Sequence, residues 1–381
     1  MTTTGAGIVG RDDVDDVEDI LAITNTDVDE VVHAVTDNAD AIFTWDYEKG
    51  ARPALNKLYE KAKGAQWNGE TDLPWDTDVD PGQVLSGFAT GDEDPRFGPA
   101  GILAAMPDSP LAKWGDKEWQ ELAIESVAWR LSQFMHGEQG ALLCTAKIVE
   151  SVPWIDAKYY AATQVMDEAR HVEVFARYLD EKLEGHYPIN SHLAALLDDI
   201  INDGRWDMTY LGMQIMVEGL ALAAFGFMFQ VTTEPLLKQL LRYVMADEAR
   251  HVAFGVLSLK EYYEQLSDAE IRERQEFAFE AAVRMRDRFL QQEVWDRMGV
   301  DKAEAISLVM QDPNRGLFQQ MLFTKIVPNC KKLGLLDAGD GWLRERFGEI
   351  GVIQFEDLTD TGDEYEQFDA VTADRAAAAG G

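Results

Sequence analysis

Cysteine is scarce in this chain of 381 residues, which contains only Cys144 and Cys330. Two cysteines cannot supply a disulfide framework or a zinc site built from thiolates. Such scarcity is typical of proteins that are kept in a reducing compartment. We therefore expect a cytoplasmic location.

Basic residues are also few, because 34 Lys and Arg stand against 69 Asp and Glu, for a formal charge of −35. Nucleic-acid backbones and anionic membrane surfaces are bound by clustered basic side chains, so this composition argues against both as partners. The acid excess is spread along the whole chain. This pattern is typical of proteins from salt-loving organisms, and we interpret most of the acids as a hydrated surface.

Long hydrophobic segments are nearly absent. The first 20 residues lack the basic and apolar regions of a signal peptide. The longest apolar run, 211–231, is interrupted by Glu218 and has no basic flank. A helix that is apolar on all sides is predicted to be a buried central helix here, and we expect no membrane partner.

Sustained alternation of polar and apolar residues is missing, so the sequence predicts an all-α protein. Long helical segments with short connections favour an antiparallel helical bundle with extra helices packed around it. A loop anchored by tryptophans is expected over 66–115. The predicted organisation is an acidic flexible arm, a single helical domain with its core at about 117–265, and an acidic mobile tail, at 1–26, 27–355 and 356–381. The helices of the domain are predicted at 27–43, 53–65, 116–150, 155–183, 205–231, 235–266 and 268–297.

An internal repeat lies inside this helical region. The hexapeptide DEARHV occurs at 167–172 and again at 247–252, an offset of 80 residues. The same offset relates Glu138 to Glu218, the one charged residue of the apolar run. Each half of the repeat therefore carries a glutamate, followed thirty residues later by Glu-x-x-His.

The spacing of the repeat favours a metal site. Glu and His at positions i and i+3 lie on one face of a helix, and a gap of thirty residues returns an antiparallel hairpin to the same level. Four Glu and two His would then converge in the bundle core, with one His for each of two metals and shared carboxylates. Oxygen ligands with imidazole suit iron or manganese. The predicted ligands are Glu138, Glu168, His171, Glu218, Glu248 and His251.

These motifs resemble the ferritin-like di-iron carboxylate superfamily, in particular its ribonucleotide-reductase-small-subunit and bacterial monooxygenase branch. The resemblance implies a ferritin-like four-helix bundle with accessory helices, which holds two Fe ions, or a Mn/Fe pair, per chain. It also implies that Asp167 contacts His251 and that Asp247 contacts His171, while Arg170 and Arg250 balance the charge.

The chain departs from the family pattern at three positions. Phe175 stands where the radical-forming reductase subunit has tyrosine, although a manganese–iron variant of that family has phenylalanine there. Leu222 stands where the soluble hydroxylases have threonine, and Val244 stands where the arylamine N-oxygenases have an additional histidine. The site therefore resembles the plain six-ligand form.

The resemblance implies an oxidoreductase that activates O2 as co-substrate. It would hydroxylate, desaturate or N-oxygenate a small organic substrate, with electrons from a separate reductase because the chain has no flavin or dinucleotide motif. A homodimer is expected on the same ground. From helical spacing we predict an apolar substrate pocket lined by Phe134, Leu142, Phe175, Leu222 and Phe225.

Other interpretations stay open at this point. One is a ribonucleotide-reductase-like subunit that generates a radical, and another is a ferritin-type protein for iron oxidation and storage. A metal-free scaffold is a third, which six intact ligands disfavour. His136 lies about 200° around the helix from Glu138 and is predicted to be a packing or surface residue. The tryptophans of the loop are expected to anchor it. Tyr159, Tyr160 and Tyr210, about two turns before ligands, are predicted to be packing residues, with transfer of electrons or a radical by one of them as the alternative.

Overall fold

The computed structural model describes residues 8–10, 13–22, 24, 49–80, 84, 109–183, 185–311 and 319–368. No strand occurs within these ranges, which confirms the predicted all-α class. The α-helices are α1 (Val17–Leu21), α2 (Pro53–Gly64), α3 (Asp116–Ser151), α4 (Ile155–Tyr178), α5 (Ser191–Asn202), α6 (Trp206–Val231), α7 (Pro235–Tyr263), α8 (Asp268–Asp287), α9 (Gln292–Arg297), α10 (Lys302–Val309), α11 (Ile326–Lys332), α12 (Trp342–Glu349) and α13 (Thr361–Phe368). The predicted helix at 27–43 lies outside the described residues.

Four long helices form the centre of the molecule. Helices α3 and α4 pack as one hairpin, α6 and α7 pack as a second, and contacts between α4 and α7 and between α3 and α6 join the two hairpins. Helix α2 lies on α4 and α7, while α5 packs against α3. This arrangement is the predicted four-helix bundle with accessory helices.

Helix α6 is the most apolar element of the bundle. Within the described residues it is the one helix long and apolar enough to cross a membrane. That property is weak support for a span, because the core helix of a folded domain has it too, and 78% of the relevant window is buried inside the protein. The burial agrees with the predicted central helix.

Two helical segments depart from the regular geometry expected from the sequence. Helix α6 contains a π-helical stretch, Leu211–Val217, which ends directly before Glu218. The single helix predicted over 268–297 is interrupted: α8 is followed by a 3₁₀ turn, Arg288–Leu290, and by Gln291 at φ 56°. Because Gln291 adopts this left-handed conformation, the chain changes direction between α8 and α9.

The two ends of the chain are more closely packed than the predicted arm and tail. In the arm, Ile20 is buried against Leu290 and Ile306, and Arg286 pairs with Asp15. In the tail, residues up to Phe368 form α13, which packs against α7. Residues 361–368 of the predicted mobile tail therefore form a packed helix, with Tyr365 buried in the main core. Residues 369–381 lie outside the described part.

Candidate metal centre

Each of the four bundle helices contributes to one buried cluster. Glu138 lies on α3 and Glu218 on α6, and each repeat motif supplies its pair from α4 or α7. The six predicted ligands are at most 4% exposed. They are Glu138, Glu168, His171, Glu218, Glu248 and His251.

The ligand atoms form two adjoining groups. In one group, Glu138, Glu168, His171 and Glu248 bring their ligand atoms within 4.8 Å of one another. In the other, Glu168, Glu218 and His251 do the same. Glu168 belongs to both groups, and an oxygen of Glu248 also lies 3.5 Å from Nδ1 of His251. The cluster thus has two histidines at its ends and carboxylates shared between them.

The two imidazoles are oriented by aspartates from the opposite motif. Nε2 of His171 lies 3.1 Å from Oδ2 of Asp247, and Nε2 of His251 lies 3.4 Å from Oδ2 of Asp167. These are the two crossed contacts that the family resemblance implies. When each Nε2–H donates to its aspartate, the neutral imidazole presents the lone pair of Nδ1 to the carboxylates.

The arginines of the two motifs neutralise these aspartates. Arg170 Nη2 donates to Asp167 at 2.5 Å and to Asp247 at 3.0 Å, while Arg250 pairs with Asp247. Burial would raise the pKa of Asp247, but Arg250 and His171 hold it below its ordinary value. Both aspartates are therefore anchored as acceptors for the histidines.

The protein alone leaves this cluster short of positive charge. Burial raises the pKa of Glu138 well above its ordinary value, and the carboxylate of Glu248 adds to the rise. The pKa of Glu218 is raised likewise, first by burial and then by Glu168 and Glu248. Burial opposes protonation of His171, yet its carboxylate neighbours raise its pKa well above the ordinary value. A bound cation would neutralise the buried carboxylates in place of these protons.

A second observation also indicates that these side chains can bind a pair of metal ions. Several buried atoms of the cluster have no hydrogen-bond partner, namely Oε2 of Glu168, Oε2 of Glu218, both carboxylate oxygens of Glu248 and Nδ1 of His251. Buried lone pairs without a donor are costly unless a cation uses them. Carboxylate oxygens with imidazole nitrogens are ligands that iron and manganese accept.

Gln164 is a member of the site that the sequence did not reveal. It is fully buried one turn before Glu168, and its Nε2 donates at 2.9 Å to Glu168 and at 2.9 Å to Glu218. One amide therefore holds carboxylates from α4 and α6 together. The repeat offers no signal for this role, because the residue 80 positions later is Val244.

Two residues directly after α2 also support the site. Trp67 donates from Nε1 to Oδ2 of Asp247 at 2.7 Å, and Gln66 donates from Nε2 to Oδ1 of Asp167 at 2.8 Å. Trp67 was expected only as a loop anchor, a role that Trp75 fills by donating to the carbonyl of Gly69. The indole, Asp247 and His171 form one hydrogen-bonded line into the cluster.

The cavity beside the cluster lies away from most of the predicted pocket. It measures about 10 Å³, room for a water-sized molecule, and of the five predicted residues only Phe134 lines it. Phe175 and Phe225 pack against Phe134 and against each other, with ring centroids 4.7–6.3 Å apart, and so fill the core. Leu142 and Leu222 do not line the cavity either. Its walls are Gln133, Phe134, Gly137, Glu138, Ala141, Val217, Glu218, Ala221, Glu248 and Arg288.

His136 stays outside both groups of ligand atoms. Its Nε2 lies 2.9 Å from the carbonyl oxygen of Tyr187, and burial lowers its pKa. Its place agrees with the packing role that its spacing predicts.

Comparison with known proteins gives limited similarity. No family model and no curated protein matches the chain. Among solved structures, the chain is similar to an R2-like ligand-binding oxidase with aerobically reconstituted Mn/Fe cofactor, at 18% identity and a TM-score of 0.43, over 74% of this chain and 98% of the other. A single-site mutant of the R2-like ligand-binding oxidase with anaerobically reconstituted Mn/Fe cofactor matches at 19% identity and a TM-score of 0.44, over 72% of this chain and 94% of the other.

Proposed function

We propose that this protein is an O2-activating oxidoreductase with a carboxylate-bridged pair of metal ions, two Fe or Mn/Fe, in its helical bundle. The observation that supports this most directly is the buried cluster of four glutamates and two histidines with unpartnered lone pairs. The group of Glu138, Glu168, His171 and Glu248 would hold one metal. Glu168, Glu218 and His251 would hold the other, with Glu168 shared.

The protein's own residues set the form of the centre. Asp247 and Asp167 keep the Nε2 protons on the histidines, so that Nδ1 of each is available to a metal. Gln164 limits the movement of Glu168 and Glu218 by donating to both. Glu138 has no such donor amide, so we infer that it moves more freely.

The surroundings favour oxidation chemistry in a dry site. When bound, such a metal pair supplies the electrons that reduce O2 and the oxidising equivalent for hydroxylation, desaturation or N-oxygenation of a small organic substrate. Glu168, His171, Glu248 and His251 are fully buried, which keeps bulk water away from the centre. The cavity of about 10 Å³ beside the cluster has room for a water-sized molecule in its present form.

The source of electrons is part of the same proposal. No flavin or dinucleotide motif occurs in the sequence, so a separate reductase would deliver them. The hydrogen-bonded line from Trp67 through Asp247 to His171 is a short route from the α2 side of the bundle to the centre. A homodimer stays a prediction from the resemblance.

A radical-generating subunit is the second candidate, and Tyr160 favours it. This tyrosine is fully buried, its hydroxyl has no hydrogen-bond partner, and burial raises its pKa. Such a phenol is shielded from solvent reductants. Exposure of the reduced protein to O2 would then produce a lasting paramagnetic signal that is lost in Tyr160→Phe.

Metal analysis tests the proposal. Protein from aerobic cells is expected to contain about two metal ions per chain, since two groups of ligand atoms are present. Glu218→Ala is expected to lose at least one of them, while Glu264→Ala, which removes an exposed acid beyond α7, should lose none. Fewer than about one metal in the unmodified protein, or unchanged content in Glu218→Ala, would contradict a di-metal centre.

Measurement of O2 consumption tests the proposed activity of the metal-loaded protein. The reduced, metal-loaded protein is expected to consume O2 faster than the Glu218→Ala variant at equal protein concentration. Equal rates would contradict the assignment of O2 activation to this centre.

A further inference from the structure

A buried arginine, Arg288, borders the cluster of candidate metal ligands. Arg288 lies in the 3₁₀ turn after α8 and is 2% exposed. Neither its Nε nor its Nη1 has a hydrogen-bond partner. Within the part of the chain that the structure describes, no carboxylate lies at ion-pair distance from its guanidinium. Burial lowers the pKa of Arg288 to about 9, and no neighbouring acid offsets that effect.

The other buried arginines show how unusual this is. Among the described residues, four more arginines are buried, and each has at least one carboxylate partner. These are Arg170, Arg250, Arg274 and Arg286. An unpaired buried guanidinium is costly, so a protein retains one where a ligand supplies the missing acceptor.

Arg288 faces the same cavity as the metal ligands. The cavity is lined by Arg288 together with Glu138, Glu218 and Glu248. The rest of its wall is mainly apolar and built from small side chains, including Ala141 and Ala221. Gln133, the other polar group of the wall, is already engaged by the backbone at Pro188 and Asn190. A molecule in this space would therefore meet the unpaired guanidinium of Arg288, the three glutamates and otherwise mainly apolar surface.

The net charge of the metal-loaded site favours an anionic ligand. Four glutamates and two aspartates carry six negative charges, which Arg170, Arg250 and two divalent cations would neutralise. Arg288 then remains as one uncompensated positive charge. A monoanion beside the metals would complete the balance in a region that excludes water.

We propose that Arg288 binds the carboxylate of a small monoanionic organic substrate, or a molecule of the same head group, and positions it at the metal centre. This inference rests on the proposed function, because it places the substrate next to the two metals. A carboxylate is a planar anionic acceptor that suits the guanidinium of Arg288, whose Nε and Nη1 have no hydrogen-bond partner among the described residues. The cavity of about 10 Å³ requires a compact head group and displacement of neighbouring side chains by anything longer.

The irregular turn explains why Arg288 points inward. An uninterrupted helix over 268–297 would continue the direction of α8, whereas the 3₁₀ turn and the left-handed Gln291 change the direction of the chain at this point. Gln291 is held there by Ser126 of α3, whose hydroxyl donates to Oε1 at 3.2 Å. The turn is thus attached to the helix that carries Glu138.

Binding of formate to the metal-loaded protein tests the proposal. Formate is the smallest carboxylate, and formamide is its neutral counterpart of the same shape. At constant ionic strength, with a bulky sulfonate as the only other anion, formate is expected to raise the melting temperature and formamide is not. If the two ligands act equally on protein that contains its metals, the proposal is overturned.

Variants of Arg288 assign the effect to this side chain. Arg288→Gln is expected to weaken formate binding by more than about tenfold, because a charge-assisted bidentate contact is lost. Arg288→Lys should retain part of the affinity, since it keeps the charge but not the fork. Arg272, a partly exposed arginine on α8, does not line the cavity, so Arg272→Gln serves as the matched control and should bind formate like the unmodified protein.

Metal content distinguishes a failure of the proposed role of Arg288 from a failure of the proposed function. Normal metal content with unchanged formate affinity in Arg288→Gln overturns the role of Arg288 and leaves the proposed function intact. A lack of metal in the unmodified protein overturns the proposed function itself. If Arg288→Gln does not fold, the comparison of formate with formamide on the unmodified protein still decides.

Discussion

Gln164 shows how much a single neutral side chain contributes to the centre. It is the donor shared by Glu168 and Glu218, at 2.9 Å from each. Without it, two buried carboxylates would lose a hydrogen bond and gain freedom to rotate. Residues that support metal ligands in this way typically change metal affinity by about 10- to 100-fold.

We expect Gln164→Leu to lower affinity for the metal of the His251 group by about 10- to 100-fold while leaving the bundle folded. Competition with a chelator of known affinity measures this change. Gln265→Leu, at the exposed end of α7, is the control. Equal chelator competition by the two variants would show that Gln164 has no such role.

Trp67 supports the other histidine through one aspartate. Its indole N–H donates to Asp247, which also accepts from Nε2 of His171. Trp67→Phe keeps most of the apolar contact and removes only the donor, so we expect a loss of stability of about 1.5–3 kcal/mol. Weaker metal binding in the His171 group should accompany it.

A matched tryptophan separates the two effects of that substitution. Trp75→Phe removes an indole hydrogen bond to the carbonyl of Gly69, which lies outside the cluster. Denaturant unfolding should detect a loss for both variants, whereas chelator competition should differ only for Trp67→Phe. If both variants bind metal normally, the line from Trp67 to His171 does not tune the centre.

At the scale of the element, the close contact between α6 and α7 sets the depth of the ligands. A Cβ atom built on Gly255 of α7 would lie 2.6 Å from Cβ of Gln214, within the π-helical stretch of α6. A Cβ atom moves only with its backbone, so neither helix can yield locally. Gly255 is one turn after His251, and Gln214 is one turn before Glu218.

Gly255→Ala is therefore expected to push the two helices apart and to destabilise the protein by about 1–3 kcal/mol. Gly64→Ala, at the end of α2 where nothing lies within 4 Å of the added methyl group, is the control and should be neutral or stabilising by up to about 1 kcal/mol. Urea unfolding measures both. A harmless Gly255→Ala would mean that the helices are not in close contact at this level.

At the scale of the whole molecule, charge is the dominant property. A formal charge of −35 implies self-repulsion of a surface rich in carboxylates. The range of that repulsion falls from about 10 Å at 0.1 M salt to about 3 Å at 1 M. Interaction of the acidic surface with salt is therefore expected to stabilise the fold.

We predict that the melting temperature rises by several degrees between 0.1 M and 1 M KCl, as measured by calorimetry. Sucrose at equal osmolality controls for general exclusion effects, which do not depend on charge. A melting temperature that stays constant or falls with KCl would contradict the interpretation of the acid excess as an adaptation to salt.

Some features of the structure could be predicted from the sequence and others could not, for a physical reason. The bundle helices and the set of six candidate ligands could be inferred because both depend on local patterns. These patterns are the helical spacing and a motif that repeats at a fixed offset. Glu218 illustrates this, since a lone acid in an apolar helix already indicates a buried partner.

Features that depend on which elements meet could not be inferred in the same way. Gln164 and Trp67 become part of the centre only because α4 meets α6 and the segment after α2 meets α7. Arg288 faces the cavity only because the helix predicted around it is interrupted. The tail helix α13 forms a packed element because α7 offers it a surface, whereas its own composition favours solvent.

The sequence by itself therefore determined the all-α class, the paired motifs and the chemical type of the ligands, because these follow from residue identity and short-range spacing. Only the tertiary structure decided the shared position of Glu168, the hydrogen-bonded supports, the small cavity and its unpaired arginine. These require distances between residues that are far apart in the chain, and such distances are set by packing of whole helices.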